Sequence, residues 1–589
     1  MNNSGIKTAY PLFPLPALCL LLVCIGLTSC GSDTAPEKRN NDLIIQSEYV
    51  DESLCMKEEP EALAKYEVKK NKDDNRVACE RSLSSVGYGS SSNTAATGGR
   101  PVQSMYEAEC DRANTEAYDL ISENGFLDPV NHPLSTFSID VDTASYSNVR
   151  RYLQSGSLPP RDAVRIEELI NYFSYDYPEP EGDAPFSITT EAAACPWNPK
   201  HALVHIGLQG KKVDTKDLPP SNLVFLLDVS GSMNSPDKLP LLKSAFRLLV
   251  NQLTERDRVA IVVYAGAAGL VLPSTPGSNR DALLQAIDRL QAGGSTAGGA
   301  GIHLAYHVAA QNFIPSGNNR VILATDGDFN VGASSDAEMT RLIEDRRNEG
   351  VFLTVLGFGT GNIKDSKMEK LADRGNGNYA YIDNIMEAKK VLVNEMGATL
   401  LTIAKDVKLQ IEFNPAHVMA YRLIGYENRM LRSEDFNDDT KDAGELGAGH
   451  TVTALYEIIP SDADEKLPDI DALKYQRAET TAQAHDSQEM LTVKFRYKAP
   501  DGNKSLLLVQ TLPNEWNGLE SASPNFLFSA AVAEYGMLLR GSEHKAKASW
   551  EQVIELAGKA RGPDGFGYRA EFIRLAESSR LMSEGRGEG

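Results

Sequence analysis

Four short stretches of this chain are apolar at nearly every position: residues 223–227 (LVFLL), 259–264 (VAIVVY), 321–323 (VIL) and 351–356 (VFLTVL). A strand with one wet face alternates apolar and polar side chains. A continuous apolar run must therefore be covered on both faces, as strands of a parallel sheet are. Helical patterns lie between the runs. Leu242, Ala245, Phe246, Leu249, Val250 and Leu253 fall on one face of a 3.6-residue period. Further helices are expected at 280–290, 300–312, 337–349 and 368–373. Alternating buried strands and helices across residues 218–402 predict an α/β fold with a doubly wound, mostly parallel sheet.

On both sides of this unit the period becomes two. Phe137, Ile139 and Val141 alternate with Ser138, Asp140 and Asp142, and Val204, Ile206 and Leu208 share one face. Val407, Leu409, Ile411 and Phe413, and then Leu491, Val493, Phe495 and Tyr497, alternate with polar residues. These read as antiparallel strands with one wet face, with further strands at 451–459 and 505–511. The strands after 402 are too few to cover two sheets unless those at 186–190 and 203–208 join them. The α/β unit is thus expected to be inserted in an antiparallel β-sandwich, with C-terminal helices following. The expected divisions are 1–29, 30–130, 131–217 with strands for the sandwich, 218–402 for the α/β domain, 403–515 for the sandwich, and 516–589 helical. Short helices are expected at about 143–153, capped by Asp142 or Thr143, and at 165–173.

The N-terminus bears on location. Lys7 precedes an uncharged apolar stretch at 12–27, which is shorter than the roughly 20 residues that span a bilayer comfortably and reads as an export signal. It ends Leu27-Thr28-Ser29-Cys30, which resembles the bacterial lipobox; the resemblance implies cleavage before Cys30 and lipidation of its thiol. Several acyl chains on one residue give stable membrane attachment. Gly31, where Asp would retain the protein at the inner membrane of enteric-type bacteria, favours the outer membrane where the cell has one. The polar, Ser- and Gly-rich stretch that follows, to about residue 130, cannot bury enough apolar surface to order itself and reads as a flexible tether. Cys55, Cys79, Cys110 and Cys195 remain for one or two disulfides in an oxidising compartment, with Cys55–Cys79 the preferred pairing because both lie in the tether. With 81 acidic against 59 basic residues, a net charge of −22, the surface repels a phosphate backbone, so nucleic acid is excluded as the expected partner.

The first buried run ends Asp228-Val229-Ser230-Gly231-Ser232-Met233. Three oxygen side chains alternate there in the turn beyond a strand's carboxyl end, where α/β ligands bind. Thr296 lies in the Gly-rich loop 293–299, and Asp326 ends the strand at 321–325. A set made only of hard oxygens suits Mg²⁺, with Mn²⁺ or Ca²⁺ as alternatives. The five positions resemble the metal-ion-dependent adhesion site of the von Willebrand factor type A domain, and none departs from it. The resemblance implies Ser230, Ser232 and Thr296 as direct or switchable ligands and Asp228 and Asp326 as largely water-mediated ones. With its carboxylates held back, the metal would keep enough positive charge to recruit an Asp or Glu from a protein partner.

The stretches 134–146, 449–457 and 533–539 resemble bacterial lipoproteins of the YfbK type, which carry this domain. The resulting expectation is a non-enzymatic, lipid-anchored binding, adhesion or scaffold protein of the cell envelope. The alternatives are a metal-assisted hydrolase, for which Asp328 is the spare candidate in the three loops, and an assembly factor for an ATPase-driven complex. His303 and His307, four apart on a helix, lack the Glu of a zinc-protease motif and read as core or surface residues. Asp140 and Asp142 could hold a second cation, but capping of the following helix is the preferred role.

Overall fold

The computed structural model describes residues 115–585 apart from 215–217, 296–297, 328, 330–335, 396–400, 442, 466–479 and 501. Cys30, Cys55, Cys79, Cys110, Thr296 and Asp328 lie outside the described residues. Strand β1 (Leu134–Ser138) leads to α1 (Ala144–Gln154) and α2 (Ile166–Asn171), then to the hairpin of β2 (Phe186–Cys195) and β3 (Asn198–Gly210). The α/β unit follows: β4 (Ser221–Asp228), α3 (Leu239–Val250), β5 (Arg258–Tyr264), β6 (Ala268–Pro276), α4 (Arg280–Asp288), α5 (Gly298–Gln311) and β7 (Asn318–Thr325). It continues with α6 (Asp336–Asn348), β8 (Val351–Phe358), α7 (Asp365–Arg374), β9 (Tyr379–Ile382) and α8 (Ile385–Lys389). Strands β10 (Thr402–Phe413), β11 (Val418–Ile424), β12 (Met430–Leu431), β13 (Gly444–Gly447), β14 (Thr451–Pro460), β15 (Glu489–Lys498) and β16 (Ser505–Pro513) come next. Helix α9 (Ala482–Asp486) precedes β15, and α10 (Pro524–Arg540), α11 (Trp550–Lys559) and α12 (Tyr568–Gly585) close the described chain.

The apolar runs form the centre of a sheet ordered β6-β5-β4-β7-β8-β9, parallel except for β6. Successive side chains of one run enter two different cores. Leu223, Phe225 and Leu227 pack with α3 and α4, whereas Val224 and Leu226 pack with α5 and α6. Double coverage is what made these strands apolar throughout.

Two antiparallel sheets make the sandwich. One is ordered β12-β1-β10-β15-β16 with β13 also on β10, the other β11-β14-β3-β2. Phe137, Val204, Ile206, Leu409, Ile411, Tyr456, Val493 and Phe495 meet in their shared core. The α/β unit enters after β3 and returns at β10, so it is inserted between strands of the two sheets. The second sheet is covered outside as well. Leu203 and Leu455 pack there against Tyr146, Leu169, Phe526, Phe528, Val532 and Phe572 of α1, α2, α10 and α12. That third layer explains why β14 is buried at every position.

Several expectations need correction. Strands β6, β9 and β11 were not foreseen, and the hairpin strands are longer than their apolar cores. The outer side of β10 is wet only at Glu412: Lys408 donates to Asp435 O at 3.0 Å and Asp438 O at 2.6 Å, and Gln410 to Ser433 O at 3.2 Å. Residues 115–130, assigned by composition to the tether, are bonded to the body. Thr115 N and Ala117 N donate to Gly361 O and Ile363 O at 2.8 and 3.0 Å, and Leu127 exchanges backbone bonds with Tyr421. Ion pairing supplies what apolar burial does not, since Glu116 meets Arg151 at 2.9 Å and the Tyr152 hydroxyl at 2.7 Å. Asp142 does not cap α1. Its Oδ1 accepts Tyr379 N at 2.7 Å and so joins β9 to the sandwich. Cys195 is a buried free thiol, and burial pushes its pKa up.

Buried guanidinium groups bind the insert to its surroundings. Arg150 of α1 reaches Asp383 at 2.6 Å and Glu387 at 2.7 Å in the α/β unit, and Glu571 of α12 at 2.8 Å. Arg165 pairs with Glu168, Asp365 and Glu369, and Arg429 with Asp140, Asp142, Glu369 and Asp373. Removing one partner from a buried set leaves charge unpaired, at about 3–5 kcal/mol. Arg150→Met is thus expected to destabilise the chain by about 3–5 kcal/mol in denaturant unfolding, against less than about 1 kcal/mol for the exposed Arg247→Met.

Around Arg165 and Arg429 the acids outnumber the bases. Burial, incompletely opposed by the two arginines, pushes Glu369 up to about 8. Burial also pushes Asp365 up to about 6. In the unfolded chain both titrate near pH 4, so between those values the folded protein holds more protons and loses stability as pH rises. Glu369→Gln should remove that dependence for this site. Melting temperatures from pH 5 to 9 are expected to show the wild type falling relative to Glu369→Gln up to about pH 8 and running parallel to it above that, and parallel curves throughout would contradict it.

Candidate metal centre

Strand β4 ends at Asp228, where the chain leaves the sheet and turns over its carboxyl edge. Ser230 N donates to Asp228 Oδ1 at 2.9 Å, which closes an Asx-type turn and directs Ser230 and Ser232 to the same side. Their hydroxyl oxygens lie 3.0 Å apart. Ser230 is buried and Ser232 exposed, so the pair spans from the interior to solvent.

Backbone bonds knit the neighbouring loops to this turn. Val229 N donates to Tyr264 O at 3.1 Å, Gly231 N to Gly294 O at 3.0 Å, and Gly293 N to Val229 O at 2.8 Å. Gly294 sits at φ +82°, where a Cβ would be strained and would come within 3.3 Å of Gly266 N. The loop that carries Thr296 is thereby held beside the serines, although Thr296 itself lies outside the described residues.

Asp228 is fully buried and also accepts from the Tyr264 hydroxyl at 3.2 Å and the Thr325 hydroxyl at 3.3 Å. Burial pushes its pKa up, the bonds from Ser230 oppose that, and the charge of Asp326 adds to it. Asp326 lies at the end of β7, 1 % exposed. Its Oδ2 accepts from Lys238 Nζ at 2.8 Å and from Asn362 Nδ2 at 3.4 Å. Gly327, at φ +101°, leaves no room for a side chain, since a Cβ would lie 2.4 Å from Asn362 O. The structure thus brings together Asp228, Ser230, Ser232 and Asp326.

Lys238 was missed by sequence reasoning. It lies six positions beyond Ser232 and reads in sequence as a solvated charge before a helix. The signal that could have found it is its place at the N-terminus of an apolar helix docked beneath the loops. There an ammonium is disfavoured by the helix dipole unless an acid holds it.

The donors fit a hard divalent cation. Two hydroxyls can reach it directly, and two carboxylates, anchored by their own bonds, stand behind them. No group of three or more His, Cys, Asp or Glu that could hold a metal occurs among the described residues. His303 and His307 are both exposed, as a surface reading requires, and His307 bonds to Gln311 at 2.9 Å. Asp140 and Asp142 face Arg429 at 3.5 and 3.3 Å, so their cation is a guanidinium and not a metal.

Comparison with known proteins matches three stretches of the chain. Residues 222–394 match the family description "von Willebrand factor type A domain", residues 112–205 "von Willebrand factor", and residues 398–582 "Uncharacterized protein YfbK, C-terminal". The Uncharacterized protein YfbK of Escherichia coli (strain K12) is 46% identical over 470 residues, 79% of this chain and 81% of that one. A UPF0353 protein of Mycolicibacterium vanbaalenii is 27% identical over 197 residues, 29% of this chain and 58% of that one. Among solved structures, von Willebrand factor type A from Catenulispora acidiphila covers 67% of this chain and 91% of its own at 16% identity, with a TM-score of 0.36. The chain belongs to the YfbK family and carries a von Willebrand factor type A domain.

Proposed function

We propose that this chain is a lipid-anchored binding protein of the cell envelope, outer-membrane where there is one, whose α/β domain uses Mg²⁺ to capture an Asp or Glu carboxylate of a protein partner. The von Willebrand factor type A domain itself suggests a protein-interaction or adhesion role. The observation that carries the finer reading is the hydroxyl pair of Ser230 and Ser232, 3.0 Å apart at the open edge of the sheet, with both acids withdrawn into buried hydrogen-bonded positions. Ser230, Ser232 and Thr296 would hold the cation, and Asp228 and Asp326 would orient its water. Hydroxyl ligands donate no net charge, so a bound dication would stay attractive to an incoming carboxylate.

A hydrolytic role finds less support. It needs a base beside the metal, and the lysine that reaches the described site is committed as a donor to Asp326. No helix of the described residues is long and apolar enough to cross a membrane.

Ser232 is exposed and can be truncated without opening the core. Ser232→Ala in the full chain is expected to keep the wild-type melting temperature in chelator and to lose Mg²⁺ affinity in calorimetry by at least about 10- to 100-fold, the scale on which metal-site substitutions act. Partner co-purification from cells should fail with this variant and with chelator; its survival under both would place the interaction surface elsewhere. For the anchor, a fatty-acid analogue should label the wild type but not Cys30→Ala, and the variant should leave the membrane fraction. Absence of label on the wild type would refute lipidation.

A further inference from the structure

Lys238 is an unusual neighbour for a cation site. It is 6 % exposed, it precedes the first turn of α3, and its Nζ lies 2.8 Å from Asp326 Oδ2. Its stem is housed in a specific slot. Gly359 passes alongside at φ +74°, and a Cβ there would sit 2.3 Å from both Cγ and Cε of Lys238. The Tyr381 hydroxyl fixes that glycine by donating to its carbonyl at 2.6 Å. Asp237, the adjacent acid, is turned away to the Ser235 hydroxyl at 2.5 Å. The ammonium therefore belongs to the group of Asp228 and Asp326.

Resting on the reading of a metal-dependent carboxylate site, we propose that Lys238 is a built-in counter-charge that sets the selectivity of that site: it weakens Mg²⁺ binding and, in exchange, keeps the loaded site net positive for the partner's carboxylate. The reasoning is a charge count. Among the described residues, two carboxylates and one ammonium leave a single net negative charge. A dication turns this into a single positive charge, which one incoming carboxylate neutralises. Without Lys238 the loaded site is already neutral, so the metal binds more tightly and has less attraction left for a carboxylate. The groups are buried, and their interaction is not screened away by salt as surface charges are. The slot beside Gly359 fixes the ammonium in place, so its effect does not depend on a side chain searching through rotamers.

The test uses the full chain, Mg²⁺ alone, and acetate as the carboxylate probe, at constant ionic strength. In wild type, Mg²⁺ binding is expected in calorimetry, lost on Ser232→Ala and tightened by added acetate, because two ligands that favour one another do so reciprocally. Lys238→Met, and Lys238→Gln as a variant that keeps a hydrogen bond to Asp326, should bind Mg²⁺ at least about tenfold more tightly and lose the acetate response. Lys238→Arg, which keeps the charge, should stay within about threefold of wild type. Melting curves in chelator show which variants are folded, and either neutral variant suffices. Mg²⁺ affinity that is unchanged or weaker in the folded neutral variants would overturn the role of Lys238 while leaving the metal site intact. Absence of Ser232-dependent Mg²⁺ binding in wild type would instead overturn the metal reading itself.

Discussion

A buried guanidinium cannot be left alone, and Arg150 is the clearest case of what that requirement does here. Its side chain is 1 % exposed, and its acids come from the α/β unit and from the last helix, segments more than two hundred residues further along the chain. An inserted domain is attached to its host by two chain crossings only, which fix its position but not its orientation. Apolar contact alone would tolerate sliding, because it is non-directional. Guanidinium–carboxylate pairs are directional and costly to break when buried. Arg150, Arg165 and Arg429 together fasten Asp383, Glu387, Asp365, Glu369 and Asp373, and Asp142 fastens the backbone of β9. They act on the half of the sheet next to the loop 359–364, which supplies Asn362 to Asp326 and the glycine beside Lys238. The geometry of the candidate centre thus depends on the seam as well as on its own loops.

Within the centre the same logic runs at smaller scale. Each acid is positioned by donors that do not belong to the metal: Asp228 by a backbone N–H and two hydroxyls, Asp326 by Lys238 and Asn362. Carboxylates held in this way are poorly placed to surround a cation and well placed to orient its water. In the proposed function, a centre whose direct ligands are neutral hydroxyls would have charge to spare, and a partner would supply what is missing. That difference separates a binding centre of this kind from a closed structural one, where the protein provides every ligand.

Much of this was legible in the sequence because it is written in periodicity. The doubly covered strands announced themselves as continuous apolar runs, and the sandwich strands β10 and β15 as alternation. Asp228, Ser230, Ser232 and Asp326 could be picked out as candidates because they sit at fixed offsets from strand ends. Interactions made by polar residues across long sequence separations were not legible. Asp142 looks like a helix cap, yet it bonds to Tyr379, and Glu116 looks like part of a linker, yet it anchors to Arg151. Lys408 and Gln410 look wet and are covered by the segment at 433–438. Lys238 belongs to the same class, since its place before an apolar helix calls for an acid but does not say that the acid is one eighty-eight residues away. Local pattern specifies elements, whereas the partner of a charge is decided by topology.

The central claim is that the hydroxyls of Ser230 and Ser232 hold a divalent cation with a coordination position left for an outside carboxylate. Crystals of the protein grown with Mn²⁺, measured for anomalous scattering, test it most directly. The account predicts one strong anomalous peak within direct bonding distance of both hydroxyl oxygens, with Asp228 and Asp326 reaching it through water and one position facing solvent or a neighbouring carboxylate. A peak bonded directly to both carboxylates with no open position, or no peak between the serines at all, would contradict it.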